Sequence, residues 1–147
     1  MCRVMLTALV MALTLAGCQQ LPLTPEDLQA KKFEAVPDKA AIYLVRDDPD
    51  FSRLQAEIYL GDKLLLKTYP GTYYRWEVPA GKHIITGTGS DIGTITVQVE
   101  RGRIYFVQQR VDGLRGPNSH FYLVSEAEGR AAVMRAMLAL QVQPVMQ

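Results

Sequence analysis

The sequence predicts a mainly β protein: an antiparallel β-sandwich of about seven to eight strands, with a short N-terminal helix and a C-terminal helix. Two observations carry this. Between Ala40 and Val124 the chain divides into short strand-like runs, with a Gly, Pro or Asp turn about every ten residues. On either side of that region the apolar pattern changes to a helical one, at Thr24 to Phe33 and at Ser125 to Leu140.

The first helix is expected over Pro25 to Phe33. Thr24 is a cap, Pro25 occupies the first helical position, and Glu26 and Asp27 place acids in the first turn. Ala40 to Arg46 is a β-rich run stopped by Asp47-Asp48-Pro49-Asp50. Gln55 to Leu60 and Lys63 to Thr68 flank Gly61-Asp62, a hairpin signal. Ile58 faces Leu65 if the loop has two residues; a bulge shifts the pairing and exchanges the faces.

Tyr73 to Val78 alternates. Tyr74, Trp76 and Val78 share the face assigned to the core, and Tyr73, Arg75 and Glu77 share the other. Pro79-Ala80-Gly81 turns the chain into Lys82 to Thr88. Thr94 to Glu100 places Ile95, Val97 and Val99 inward, and Arg101-Gly102 leads into Arg103 to Val111. Asp112 to Ser119 is a loop, and His120 to Val124 is the last strand. Ser125 and Glu128 then form a capping box, opening a helix of about four turns that runs to about Leu140, with Pro144 in the tail.

The N-terminus has a different character. Arg3 is followed by an uncharged, mostly apolar run from Val4 to Leu15 and then by Ala16, Gly17 and Cys18. The run is shorter than the roughly 20 residues that a membrane-spanning helix needs. Leu15-Ala16-Gly17-Cys18 resembles the lipobox of bacterial lipoproteins. That resemblance implies a diacylglyceryl thioether on Cys18, cleavage before it and acylation of the new amino group. Each buried methylene adds about 0.8 kcal/mol of membrane affinity, and several chains on one residue make attachment lasting. Gln19, in place of Asp, implies sorting to the outer membrane by the enteric rule, with the domain facing the periplasm.

Four segments follow: a lipoprotein signal peptide at 1–17, the lipidated cysteine and a tether with its short helix at 18–39, the sandwich and C-terminal helix at 40–140, and a tail at 141–147. A flexible tether of that length spans roughly 25 Å. Removal of the signal leaves about 130 residues, one domain's length. The whole chain has 16 basic and 15 acidic residues, and the signal takes Arg3 with it. Such a balance argues against nucleic acid as a partner. Cys2 leaves with the signal and Cys18 is consumed by lipid, so the domain relies on packing rather than disulfides.

The order Ala30-Lys31-Lys32-Phe33, Ala41-Ile42-Tyr43-Leu44-Val45-Arg46, Gly71-Thr72-Tyr73-Tyr74 and Val78-Pro79-Ala80-Gly81-Lys82-His83 resembles a family of small bacterial lipoproteins whose domain has no assigned function. The Pro-Ala-Gly-Lys-His turn is similar to PEGA-type and transthyretin-like β-sandwiches. The resemblance implies the fold and an envelope location, and no reaction.

Chemistry-bearing residues are sparse. His83 follows a turn, where its ring suits a backbone carbonyl, and His120 opens a strand; neither forms a ligand-spaced pair, so no metal or other cofactor is expected. Ser90, within Gly87 to Gly93, fits neither a nucleophile elbow nor a phosphate loop and reads as part of a flexible loop. Asp47-Asp48-Pro49-Asp50 lacks the calcium-loop spacing and reads as a solvated turn. No catalytic residue is assigned. Tyr73 and Arg75, with His83 nearby in sequence, are the candidate binding residues, because Tyr and Arg are favoured contact residues. The expected role is a non-catalytic, lipid-anchored accessory or binding module, joined to the membrane through Cys18 and to an envelope protein or glycan by one sheet face. Two alternatives are an envelope hydrolase acting on peptidoglycan or glycan through acids such as Asp47, Asp48 or Glu77, and a carrier with a cavity between the sheets.

Overall fold

The computed structural model describes residues 23–88 and 93–139. The lipobox with Cys18, the signal segment, Gln19, Ser90 and the tail at 141–147 lie outside the described residues. Among the described residues, nine strands and two helices appear in the order α1 (Pro25–Ala30), β1 (Ala40–Arg46), β2 (Ala56–Leu60), β3 (Lys63–Thr68), β4 (Thr72–Val78), β5 (Gly81–Thr88), β6 (Gly93–Val99), β7 (Ile104–Asp112), β8 (Asn118–Val124), α2 (Glu126–Arg135) and β9 (Met137–Leu138). The strands form a five-stranded sheet, β8-β7-β1-β4-β9, and a four-stranded sheet, β3-β2-β5-β6. The architecture is the expected β-sandwich. Its larger sheet is mixed, because β1 pairs antiparallel with β4 and parallel with β7, and β4 pairs parallel with β9.

β1 explains the layering. Its Ala-Ala-Ile-Tyr-Leu-Val-Arg run is buried at every position. Such a strand needs cover on both faces. Ile42 and Leu44 face the second sheet and meet Ile58, Leu66, Trp76, Ile85, Val97 and Val107. Ala41, Tyr43 and Val45 face the helices and meet Tyr73, Phe106, Ala132 and Val133. Both helices therefore lie on the outer face of the five-stranded sheet, which adds a third layer to the sandwich. Helix α2 comes close enough that a β-carbon on Gly129 would sit 2.1 Å from Phe106 Cγ.

The sheets also meet at one side. A β-carbon on Gly93 of β6 would sit 1.6 Å from the Ser119 carbonyl oxygen of β8. Only a glycine lets the two backbones approach so closely. Gly87, within the run Lys82 to Thr88 expected as a strand, ends the pairing of β5 with β6 directly opposite Gly93.

Two expectations change, and one open alternative is decided. Helix α1 stops at Ala30 rather than Phe33: Phe33 takes a left-handed φ of 55°. That turns its ring onto Tyr43, at 5.5 Å between centroids, and onto Phe106, at 6.0 Å. The β2–β3 hairpin takes the bulged register, pairing Ile58 with Leu66 and Tyr59 with Leu64. The C-terminal helix ends at Arg135 rather than near Leu140, because the chain turns extended at Ala136 and adds β9 to β4. Met137 N donates to Gly71 O at 2.9 Å and Ala139 N to Tyr73 O at 2.7 Å. Pairing at a strand edge overrides the helix preference of Ala, Met and Leu.

Candidate functional site

The residues singled out from sequence separate in space. Tyr73 does lie on the face opposite Trp76, but it is not a surface residue: it is 1% exposed beneath α1. Its hydroxyl donates to the Asp27 carboxylate, which also pairs with Lys31 at 3.2 Å. Burial, and then the bond to Asp27, push the hydroxyl well above the ordinary tyrosine value. Alongside it, Tyr43 donates to the Ala30 carbonyl at 2.6 Å. Tyr73 is thus a fastening between sheet and helix, and the expected exposed patch of Tyr73 beside Arg75 does not form.

Arg75 lies at the rim of a groove between α1, the segment after it and β4. It donates to Glu77 and, at 3.2 Å, to the Glu34 carbonyl, and its guanidinium stands 5.7 Å from the Tyr43 ring centroid. The groove is about 640 Å³ and is lined by Gln29, Ala30, Glu34, Ala35, Val36, Arg75, Glu77 and Leu138, among others. His83 is half-buried elsewhere, with Nε2 2.7 Å from the Pro79 carbonyl, the structural role its sequence position suggested.

A second surface was not foreseen. Helix α2 covers only part of the outer face of the five-stranded sheet. Along β7 that face changes from Phe106 under the helix to Gln108, Arg110 and Asp112 beyond it. Register sets Tyr122 opposite Gln108 and His120 opposite Arg110. The loop after β1 rises beside these residues. Its stem is Arg46, fully buried, which pairs through Nε with Asp50 at 2.6 Å and donates to the carbonyls of Leu54 at 2.8 Å, Thr68 at 3.2 Å and Ser52. Asp50 also accepts from Val111 N at 3.0 Å, so the Asp-rich turn is bound to the body rather than merely solvated. This anchored loop carries Phe51 outward, 80% exposed.

Three adjoining depressions run along this face. One of about 290 Å³ lies between Val45, Asp47, Gln108 and Arg135. The next, about 220 Å³, shares Asp47 and Gln108 and adds Phe51 and Arg110. The last, about 190 Å³, shares Phe51 and Arg110 and adds Asp112, His120 and Tyr122. Asp47 is held by Gln108 at 2.6 Å and Arg135 at 3.3 Å. The Arg110 guanidinium stands 5.6 Å from the Tyr122 centroid, and His120 Nε2 lies 3.1 Å from Asp112 Oδ2. Aromatic surface with fixed cation, carboxylate and amide groups around it suits recognition. The polar run Gln108, Arg110, Asp112, on the face where Phe106 is buried, was the sequence signal for it.

The acids of the hydrolase reading do not converge. Glu77 pairs with Ala41 at one end of β1, while Asp47 follows its other end, a separation of about 20 Å at the usual rise of a strand. The interior between the sheets is filled by the apolar cluster around Ile42, Leu66, Trp76 and Ile85. Among the described residues, no group of three or more His, Cys, Asp or Glu could hold a metal, and no helix is long and apolar enough to cross a membrane. No family model and no curated protein matches the chain.

Proposed function

We propose that this protein is a lipid-anchored envelope binding module without catalytic activity. In this reading it is held at the outer membrane through Cys18, faces the periplasm and belongs with the small lipoproteins of unassigned function. The sequence supports the anchor: an apolar run ends in Leu-Ala-Gly-Cys, and a proline-punctuated segment separates it from α1. The single observation that carries the binding role is the open end of the five-stranded sheet. There Phe51, carried on the loop whose stem is the buried Arg46–Asp50 ion pair, and Tyr122 on β8, 80% and 48% exposed, flank Arg110 of β7. Large exposed aromatics on a rigid support are contact residues waiting for a partner surface.

The deciding experiment is photocrosslinking in intact cells, with a photoreactive residue at Phe51 or Tyr122 and, as control, at exposed Lys63 on the other sheet. A discrete adduct from the first two positions alone is expected. Digestion by protease or by a glycan hydrolase then tells a protein partner from a glycan. Identical adduct patterns from all three positions, or none from Phe51 and Tyr122, would overturn the assignment. The hydrolase alternative retains one observation, the His120–Asp112 contact at 3.1 Å. Both side chains are about half exposed, and the depression beside them is shallow.

A further inference from the structure

The depressions on the outer face of the five-stranded sheet have a distinctive lining. In the two that Phe51 lines, the apolar groups among the described residues are the rings of Phe51 and Tyr122, with Pro49 beside them. Every polar side chain there ends in a planar group: carboxylate, carboxamide, guanidinium or imidazole. A protein-binding patch draws most of its energy from a desolvated apolar centre, and here the centre is polar. Flat polar groups beside an aromatic face match a sugar. The C–H bonds on one face of a sugar ring meet the negative face of an aromatic ring. Neighbouring hydroxyls meet the paired acceptors and donors of carboxylate, carboxamide and guanidinium.

These groups are held in place before any ligand arrives. Phe51 N donates to Asp50 Oδ1 at 2.8 Å, and Asp50 is fixed in turn by Arg46 and Val111, so little of the loop is left to order on binding. Around Arg110 each carboxylate is already engaged: Asp50 by Arg46, Asp47 by Gln108 and Arg135, and Asp112 by His120. Arg110 itself is exposed and, among the described residues, has a ring contact with Tyr122 and no ion pair. A guanidinium set over a ring keeps its N–H groups, which lie in its own plane, directed outward. They form a fork shaped for one carboxylate. Phe51 and Arg110 line both depressions, so a ring resting on Phe51 comes beside that fork.

We propose that this face recognises a glycan whose sugars carry carboxylates, a reading that rests on the binding role proposed above. One sugar ring stacks on Phe51, and its carboxylate accepts two N–H bonds from Arg110. Asp47 and Gln108 meet the hydroxyls of a sugar further along the trough. Asp47 does so while held, because each carboxylate oxygen has a second lone pair. Tyr122 is a positioning residue: its ring sets the plane of the Arg110 fork.

Calorimetric titration of the full chain in detergent tests this. The probes are a hexasaccharide alternating glucuronate with N-acetylglucosamine, a hexasaccharide of N-acetylglucosamine alone, and oligoglutamate. The first is expected to bind at least about tenfold more tightly than the second, the worth of a charge-assisted pair. Arg110→Gln is expected to remove that preference and Arg110→Lys to keep only part of it. Phe51→Leu is expected to weaken both oligosaccharides, and Lys63→Gln on the other sheet to change neither. Tyr122→Phe is expected to keep the preference for the charged sugar and Tyr122→Leu to lose most of it. Equal affinity for the two oligosaccharides, or a preference that survives Arg110→Gln, would overturn the proposal. So would oligoglutamate binding as tightly, which means an acidic peptide partner. If neither oligosaccharide binds while Phe51 and Tyr122 still crosslink to a protein in cells, the glycan is ruled out and the binding face stands; if those crosslinks are missing too, both readings fall.

Discussion

Arg46 and Asp50 form an ion pair, 2.6 Å from Nε to Oδ2, with side chains 0% and 3% exposed. Burial pulls the guanidinium below its ordinary value, and Asp50 opposes that pull. Removing Asp50 leaves a buried cation without its counter-charge. Asp50→Ala is therefore expected to lose about 3–5 kcal/mol of stability, with a smaller loss in Arg46→Met/Asp50→Val, where both charges go together. Urea melts of the two variants check this. A double variant less stable than the single one would mean that the carbonyl bonds of Arg46, not its charge, hold the loop.

Tyr73→Phe is expected to lose about 1.5–3 kcal/mol at neutral pH, since the lost bond is to a carboxylate. The folded protein holds this hydroxyl protonated beyond the ordinary value of 10.0, chiefly through burial. An unfolded chain ionises there freely. The stabilisation is thus complete below about pH 10 and declines as pH rises beyond it. Urea midpoints taken across that range are expected to fall less steeply in Tyr73→Phe than in the unaltered protein. Equal slopes would show that Tyr73 is not the alkaline-sensitive group.

Trp76→Ala is expected to cost about 3–5 kcal/mol, as for other core aromatics. Its ring is 6% exposed and meets Tyr74 edge-on at 5.2 Å. Chemical denaturation of the domain measures the loss, and a value below about 1 kcal/mol would contradict its place between the sheets.

Gly93→Ala forces β6 away from the Ser119 carbonyl. A loss of at least about 1–3 kcal/mol is expected, the usual scale of overpacking. The same substitution at Gly102, where the nearest atom beyond its neighbours is the Pro37 oxygen at 4.0 Å, meets only its own φ of 72°. Calorimetry that ranks Gly102→Ala as the more damaging would deny the close crossing of β8 over β6.

Cys18→Ala is expected to release the protein from membranes. Fractionation after a high-salt wash reads this directly, and a variant still in the pellet would count against lipid attachment.

Much of the fold was legible. The alternation in β4 and β6 assigned their faces correctly, and the Ser125–Glu128 capping box is present. The error over Tyr73 came from treating the second face of β4 as a surface. The uninterrupted apolar run in β1 already implied cover on both sides, but it does not say which elements supply it. β9 was hidden because Ala-Met-Leu reads as helix until an unpaired strand edge is near. Phe51 and Tyr122 were hidden for another reason. Their exposure depends on where α2 stops and on the burial of Arg46, and both are set by tertiary packing.

Helix α1 has a mechanical consequence. Thr24 caps it, Asp27 takes the Tyr73 hydroxyl, the Ala30 carbonyl takes the Tyr43 hydroxyl, and Lys31 reaches the Ala136 carbonyl at 2.8 Å. A tug arriving at Thr24 is therefore shared at once among both helices and two strands. Load spread in parallel over several short bonds resists peeling far better than load taken one bond at a time, so the globule can be dragged from its N-terminal end without unravelling from there.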